Sequence, residues 1–205
     1  MPPVASLRRV GYDVTLLDDA ALAPASLARF DAVVTGVRAF NTSERLRAAH
    51  AALMAYVDAG GTLVVQYNTN NRLAPLTTSI GPWPFEIGQH RVTDEAAAVT
   101  FANAAHPALT TPNALGPHDF DGWIQERGLY FAETWDPRYQ TVLTMHDPDE
   151  KPLAGSILWG RSGKGTFVYT GLAFFRELPA GVPGAYRLFA NLLAGGAAPR
   201  PLNGQ

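Results

Sequence analysis

Gly60-Gly61-Thr62-Leu63-Val64-Val65-Gln66-Tyr67-Asn68-Thr69-Asn70-Asn71 is the stretch on which the fold turns. A glycine pair stops a preceding helix, because the left-handed C-terminal cap costs glycine little. Thr62 to Gln66 follows at once, apolar and β-branched with no polar alternation. That pattern fits a strand covered on both faces, as in a parallel sheet between helices. The strand runs into Tyr67 to Asn71, whose asparagines favour turns.

Working back from the glycines, Leu46, Ala49, Leu53, Tyr56 and Val57 share one face at helical spacing. Asn41, with Glu44 three residues on, has the spacing of a capping box and predicts the helix start. Asp31 to Thr35 is a second short apolar strand, and Gly36 to Phe40 is the loop at its end. Ala25 to Phe30 reads as a short helix or turn. Tyr12 to Leu17 reads as a further strand, ended by Asp18-Asp19. Leu7 to Gly11 reads as the tail of a helix. A doubly wound sheet opens with a strand ahead of its first helix, yet here the first element looks like that helix. A strand is therefore missing or supplied another way, and a partner chain, in a homodimer, would fill the gap.

Working forward, residues 73–151 change character, with abundant Pro, Gly, Asp and aromatic residues. Short strand candidates stand at Ala98 to Phe101, Leu129 to Phe131 and Thr141 to Met145. We read this span as a β-rich insertion. The α/β pattern resumes at Ser156 to Trp159, turns at Gly163-Lys164-Gly165 and returns along Thr166 to Thr170. Gly160 to Gly165 leads into a strand rather than a helix, so it reads as a hairpin turn and not a phosphate loop. A last helix carries Pro183 near its first turn and Tyr186, Phe189, Leu192 and Leu193 on one face; Gly195-Gly196 closes it. The expectation is one α/β domain over 1–196, a flavodoxin-like doubly wound and mostly parallel sheet, with a disordered tail over 197–205.

Composition narrows the function. The 205 residues are 47% hydrophobic and 17% charged, enough to bury a sizeable core. The net charge of −2 offers a polyanion nothing, so nucleic acid is not an expected partner. Without cysteine there is no disulfide, thiolate zinc site, iron–sulfur cluster or cysteine nucleophile. Five histidines, at 50, 90, 106, 118 and 146, show no ligand spacing, and we expect no metal and no cofactor. No stretch approaches the roughly 20 apolar residues of a membrane span. Met1 to Leu17 lacks an export signal, so a cytoplasmic location is expected.

Several of these segments resemble a class I glutamine amidotransferase-like domain: Gly11-Tyr12-Asp13-Val14-Thr15, Phe30-Asp31-Ala32-Val33-Val34 and Gly60-Gly61-Thr62-Leu63-Val64-Val65. Gly163-Lys164-Gly165 before Phe167-Val168-Tyr169-Thr170 is similar to the late hairpin of the trehalose-utilisation-type (ThuA-like) branch. Phe120 to Phe131 and Phe174 to Tyr186 resemble the C-terminal domain attached to some bacterial PIG-L-type (LmbE-like) deacetylases. The resemblance covers roughly Leu7 to Ala194 without the family's opening strand. It implies a nucleophile on the bend after Thr62–Gln66, but that bend reads Tyr67-Asn68-Thr69. Leu172-Ala173-Phe174 stands where the family has a histidine. The deacetylase's own His-Pro-Asp-Asp-Glu zinc run is absent.

Candidate binding residues follow from position. Ligands of open α/β sheets bind beyond the carboxyl ends of the strands. Tyr67 and Asn68 stand there, with Arg38 and Asn41 after the neighbouring strand. Trp123, Glu126, Arg127 and Tyr130 form an aromatic and charged cluster that suits a sugar or a peptide, or else an internal Glu–Arg pair under an aromatic lid. Arg176 and Glu177 invite the same two readings. Two functions stay open. One is a non-catalytic accessory domain that recognises a small polar ligand such as a carbohydrate, or a deacetylase partner. The other is a hydrolase acting on a sugar or amide through carboxylates such as Glu126 or Asp121.

Overall fold

In the computed structural model, which describes residues 2–18, 20–73 and 75–197, the chain opens with α1 (Pro2–Arg9) and α2 (Pro24–Leu27). Then come β1 (Ala32–Thr35), the short helices α3 (Ala39–Thr42), α4 (Glu44–Ala48) and α5 (His50–Asp58), and β2 (Thr62–Gln66). The middle of the chain holds β3 (Phe85–Ile87), β4 (Arg91–Val92), β5 (Val99–Phe101), α6 (Pro107–Thr110) and β6 (Gly128–Leu129). It continues through β7 (Ala132–Trp135), β8 (Gln140–Thr141) and β9 (Leu143–Met145). β10 (Ile157–Ser162), β11 (Gly165–Thr170), α7 (Phe174–Ala180) and α8 (Pro183–Ala194) complete it.

Five strands form the main sheet in the order β1-β2-β11-β10-β8. β1, β2 and β11 are parallel; β10 runs antiparallel to both β11 and β8. The continuous apolar runs are explained by the two cores. Leu63, Val65, Phe167 and Tyr169 pack with Leu53, Tyr56 and Val57 of α5. Val64, Val168 and Trp159 pack on the other face with Leu188, Phe189 and Leu192 of α8. Successive residues of a strand point to opposite faces, so both sets must be apolar.

Residues 73–151 carry three two-stranded ladders, β3–β7, β4–β6 and β5–β9. They also give the main sheet its outer strand, because Thr141 and Gln140 of β8 pair with Leu158 and Trp159. At the hairpin, Ser162 faces Gly165 across a two-residue turn, and Gly163 takes φ +55.

Three expectations change. Tyr12 to Leu17 is irregular and joins no ladder. Val14 packs against one core and Leu17 against the other, so the run lies level with the sheet. Side chains hold it instead: Arg8 donates to the Val14 carbonyl at 2.6 Å and Arg45 to that of Leu17 at 3.2 Å. β-branching favours an extended backbone but cannot supply a neighbouring strand. The helix expected after Asn41 starts later and is broken in two: Asn41 lies inside α3, and Ser43 caps α4 through Oγ, which accepts from the Leu46 amide at 3.2 Å. The strand expected at Leu129 to Phe131 is Gly128–Leu129, since Tyr130 takes φ +55 and leaves the extended region. The tail beyond Ala197 lies outside the described residues. Among the described residues no helix is long and apolar enough to cross a membrane.

Candidate functional site

The carboxyl ends of β1 and β2 open towards the loops that follow them, the position where α/β sheets hold ligands. Tyr67 stands at the end of β2. Its ring stacks on Tyr130 at 5.4 Å and meets Phe175 edge-on at 5.4 Å. Arg38 follows β1, and its amide donates to the Tyr67 carbonyl at 2.7 Å. Glu126 is buried, with each carboxylate oxygen held by a different arginine. Arg176 Nε reaches Oε1 at 3.0 Å and Arg91 Nη2 reaches Oε2 at 2.6 Å. Arg176 also donates to the Gln125 side chain and lies over the Phe175 ring at 4.8 Å. The Tyr67 phenol is pushed up, chiefly by burial, while the nearby Arg38 and Arg176 charges pull it down.

The backbone here is unusual. Arg38, Gln125 and Tyr130 have φ of +56, +65 and +55 and account for three of the four non-glycine residues with positive φ among the described residues. Each such residue stores about 1–3 kcal/mol of strain, which persists only where surrounding contacts impose it. The contacts are visible. The Tyr169 hydroxyl donates to the Tyr130 carbonyl at 2.6 Å, and Glu126 N donates to the Ile124 carbonyl at 2.8 Å across Gln125. At the same end of the sheet, Thr35, Gln66 and Thr69 have buried side-chain oxygens with no hydrogen-bond partner among the described residues. Strained backbone and unpaired polar atoms thus gather at one end of the sheet, which makes this end the candidate site.

Glu177 of α7 supports the loop that carries Gln125 and Glu126. It is fully buried, and its carboxylate accepts from the Ile124 amide at 3.1 and 3.3 Å. Burial pushes its pKa up to about 7, against the lowering effects of the Ile124 amide, Arg127 and Arg176.

Of the residues singled out in the sequence, Arg38, Tyr67, Glu126 and Arg176 come together. Asn41 and Asn68 lie at the same end but are spent on the backbone. Asn68 Oδ1 accepts from Phe40 N at 2.9 Å and Nδ2 donates to the Gln66 carbonyl at 3.0 Å. The Asn41 amide group holds both the N–H and the carbonyl of Thr69, each at 2.8 Å. Trp123 and Arg127 are placed in the core. Trp123 Nε1 donates to Asp119, and the Arg127 guanidinium donates to the carbonyls of Ala97 and Phe120 beneath the Phe120 and Trp123 rings. The internal pair therefore joins Glu126 to Arg91 and Arg176, not to its neighbour Arg127. Tyr130 joins Tyr67, away from Trp123. Arg91, Gln125 and Phe175 complete the site. Nothing in the sequence ties Arg91 to Glu126, 35 positions away.

His118 Nδ1 meets Asp121 at 2.9 Å on the surface, and among the described residues no three His, Cys, Asp or Glu side chains gather as metal ligands would. Cavities of about 290 and 300 Å³ lie elsewhere. The first is lined by Asn70, Thr78, Trp83 and Phe85, the second by Ala28, Tyr56 and Gly61 near the start of β2.

No family model and no curated protein sequence matches the chain. Solved structures do. The cytoplasmic protein STM3548 of Salmonella typhimurium is similar at 16% identity, covering 93% of this chain and 83% of that one, with a TM-score of 0.57. A putative ThuA-like protein of Bacteroides uniformis is similar at 13% identity over 94% and 82%, with a TM-score of 0.52. The fold is ThuA-like. The chain is also similar to part of the cold-adapted β-galactosidase of Rahnella sp. R3, at 16% identity, covering 97% of this chain but 27% of that enzyme, with a TM-score of 0.56. At these identities the likeness concerns the ThuA-like fold alone, and the function must be argued from the side chains.

Proposed function

We propose that this chain is a non-catalytic binding domain that holds a small polyhydroxylated ligand, a carbohydrate, against Tyr67, Tyr130 and Phe175. The observation that carries the reading is the bend after β2. Tyr67 is there, its phenol raised and its ring packed in an aromatic stack, and the Asn68 amide is engaged with the Phe40 amide and the Gln66 carbonyl. Neither is an activated nucleophile. Aromatic faces beside a few fixed polar groups are the usual means of orienting a sugar.

A hydrolase remains the second reading because one observation favours it. Burial pushes Glu177 up to about 7, in the range of a general acid, and its carboxylate holds the loop that carries Glu126. Against it, Glu177 is sealed from solvent and both Glu126 oxygens are occupied. The test is a thermal-shift and product-release screen with neutral sugars, disaccharides and glutamine. The binding reading requires a raised midpoint without turnover, lost in Phe175→Ala. Turnover abolished by Glu126→Ala would replace it with the hydrolase.

The proposal has three further parts. The scaffold is a single domain of flavodoxin-like order with the 73–151 span as its insertion. A deacetylase of the PIG-L type is a partner, on the strength of the resemblance. A second copy pairs with the outer edge of β1, which has no ladder partner among the described residues; light scattering reads that directly.

A further inference from the structure

We propose that the ligand held at Tyr67 carries an oxyanion, a carboxylate or a phosphate, which binds between Arg38, Arg176 and the two tyrosine hydroxyls. This rests on the binding reading above and narrows it to acidic sugars.

The reason lies in which polar groups remain unspent. Glu126 is the acceptor of this site, and each of its oxygens is already taken by an arginine. The donors are not spent. The Tyr67 and Tyr130 hydroxyls have no hydrogen-bond partner among the described residues, and neither is sealed from solvent. Arg38 is exposed and forms no ion pair among the described residues. Arg176 uses Nε on Glu126 and Nη1 on Gln125, which leaves Nη2 of its five-donor fork free. A ligand entering here meets donors, so it must bring acceptors.

Charge points the same way. Arg91 and Arg176 hold the buried carboxylate of Glu126, and Arg38 adds a third guanidinium beside Tyr67, in a chain whose net charge is −2. A local excess of positive charge in an acidic protein is an arrangement that draws an anion. Guanidinium forks match the geometry of carboxylate and phosphate oxygens. The positive φ of Arg38 fixes where that side chain leaves the backbone, and the bond from its amide to Tyr67 ties the arginine to the aromatic face. Ring and anion holder are thus set by one short stretch of backbone.

The experiment is a calorimetric titration of the full chain, at low ionic strength, with D-glucuronate, D-glucose 6-phosphate and D-glucose. We expect at least one acid to bind about tenfold or more tighter than glucose, and about 0.5 M salt to weaken the acid and not the neutral sugar. Whichever acid binds tighter identifies the anion as carboxylate or phosphate. Arg38→Asn, chosen because asparagine tolerates positive φ, should cost the acid about tenfold more than it costs glucose. Tyr130→Phe keeps the ring and removes one donor, and decides the matter if Arg38→Asn fails to fold. Glucose binding as tightly as both acids, or acid affinity indifferent to both variants, overturns this inference and leaves the binding reading standing. Binding of none of the three overturns both.

Discussion

Glu177→Gln should make this protein more stable at neutral pH, although it deletes a charge that faces two arginines. Burial is the dominant influence on Glu177 and pushes its pKa from 4.5 up to about 7. Native protein therefore holds the proton more tightly than unfolded chain. Stability tied to this group is complete below about pH 4.5 and is lost as pH rises towards 7. The rise from 4.5 to about 7, at about 1.4 kcal/mol per pH unit, amounts to about 3 kcal/mol lost by pH 8. Glutamine imitates the neutral acid and still accepts from the Ile124 amide. The assay is urea denaturation of both proteins from pH 5 to pH 8. Other carboxylates titrate equally in both, so the difference between the two profiles isolates Glu177. The variant should lead by about 3 kcal/mol at pH 8 and by under about 1 kcal/mol at pH 5. A difference that stays flat across that range, or a variant less stable at pH 8, would refute the burial argument.

Other side chains test the division between scaffold and site. Asn68→Ala strips partners from the buried Phe40 amide and Gln66 carbonyl, and should lower unfolding free energy by about 2 kcal/mol in urea. Arg127→Met removes the guanidinium from the carbonyls of Ala97 and Phe120, and should cost about 3 kcal/mol in urea while ligand affinity in the surviving folded fraction is unchanged. Gly163→Ala places a Cβ 2.6 Å from the Asp58 carbonyl at φ +55, and should lower the thermal midpoint through about 1–2 kcal/mol of strain. Tyr169→Phe leaves the buried end of the Tyr130 carbonyl bond empty; calorimetric unfolding should show about 1–2 kcal/mol lost.

The elements most legible in the sequence were those whose pattern both faces of the sheet enforce. Thr62 to Gln66 and Thr166 to Thr170 are apolar at every other position on each face because α5 covers one side and α8 the other. Gly195 closes the last helix at φ +60, as its place after Leu193 foretold. Tyr12 to Leu17 misled because strand character is read from the side chains, while a strand exists only through a neighbour's backbone. At the site, Arg38, Tyr67, Glu126 and Arg176 were findable from strand ends and residue types. Arg91 was not, because it reaches Glu126 from β4, an element of two residues with no periodicity to read. Trp123 and Arg127 looked like site residues for a physical reason: a guanidinium beside aromatic rings has the same composition whether it faces a ligand or its own carbonyls.

Residues 73–151 hold Gln125, Glu126 and Tyr130 and also β8, the border of the main sheet. The span is therefore poor material for cassette exchange. Grafting it into a relative to borrow its specificity would import a sheet margin along with the recognition loop, and cutting it out would expose β10 along a new seam. Diversification in such a molecule proceeds more readily by point changes at Phe175 or Gln125, where the surroundings of the proposed ligand shift and the architecture does not.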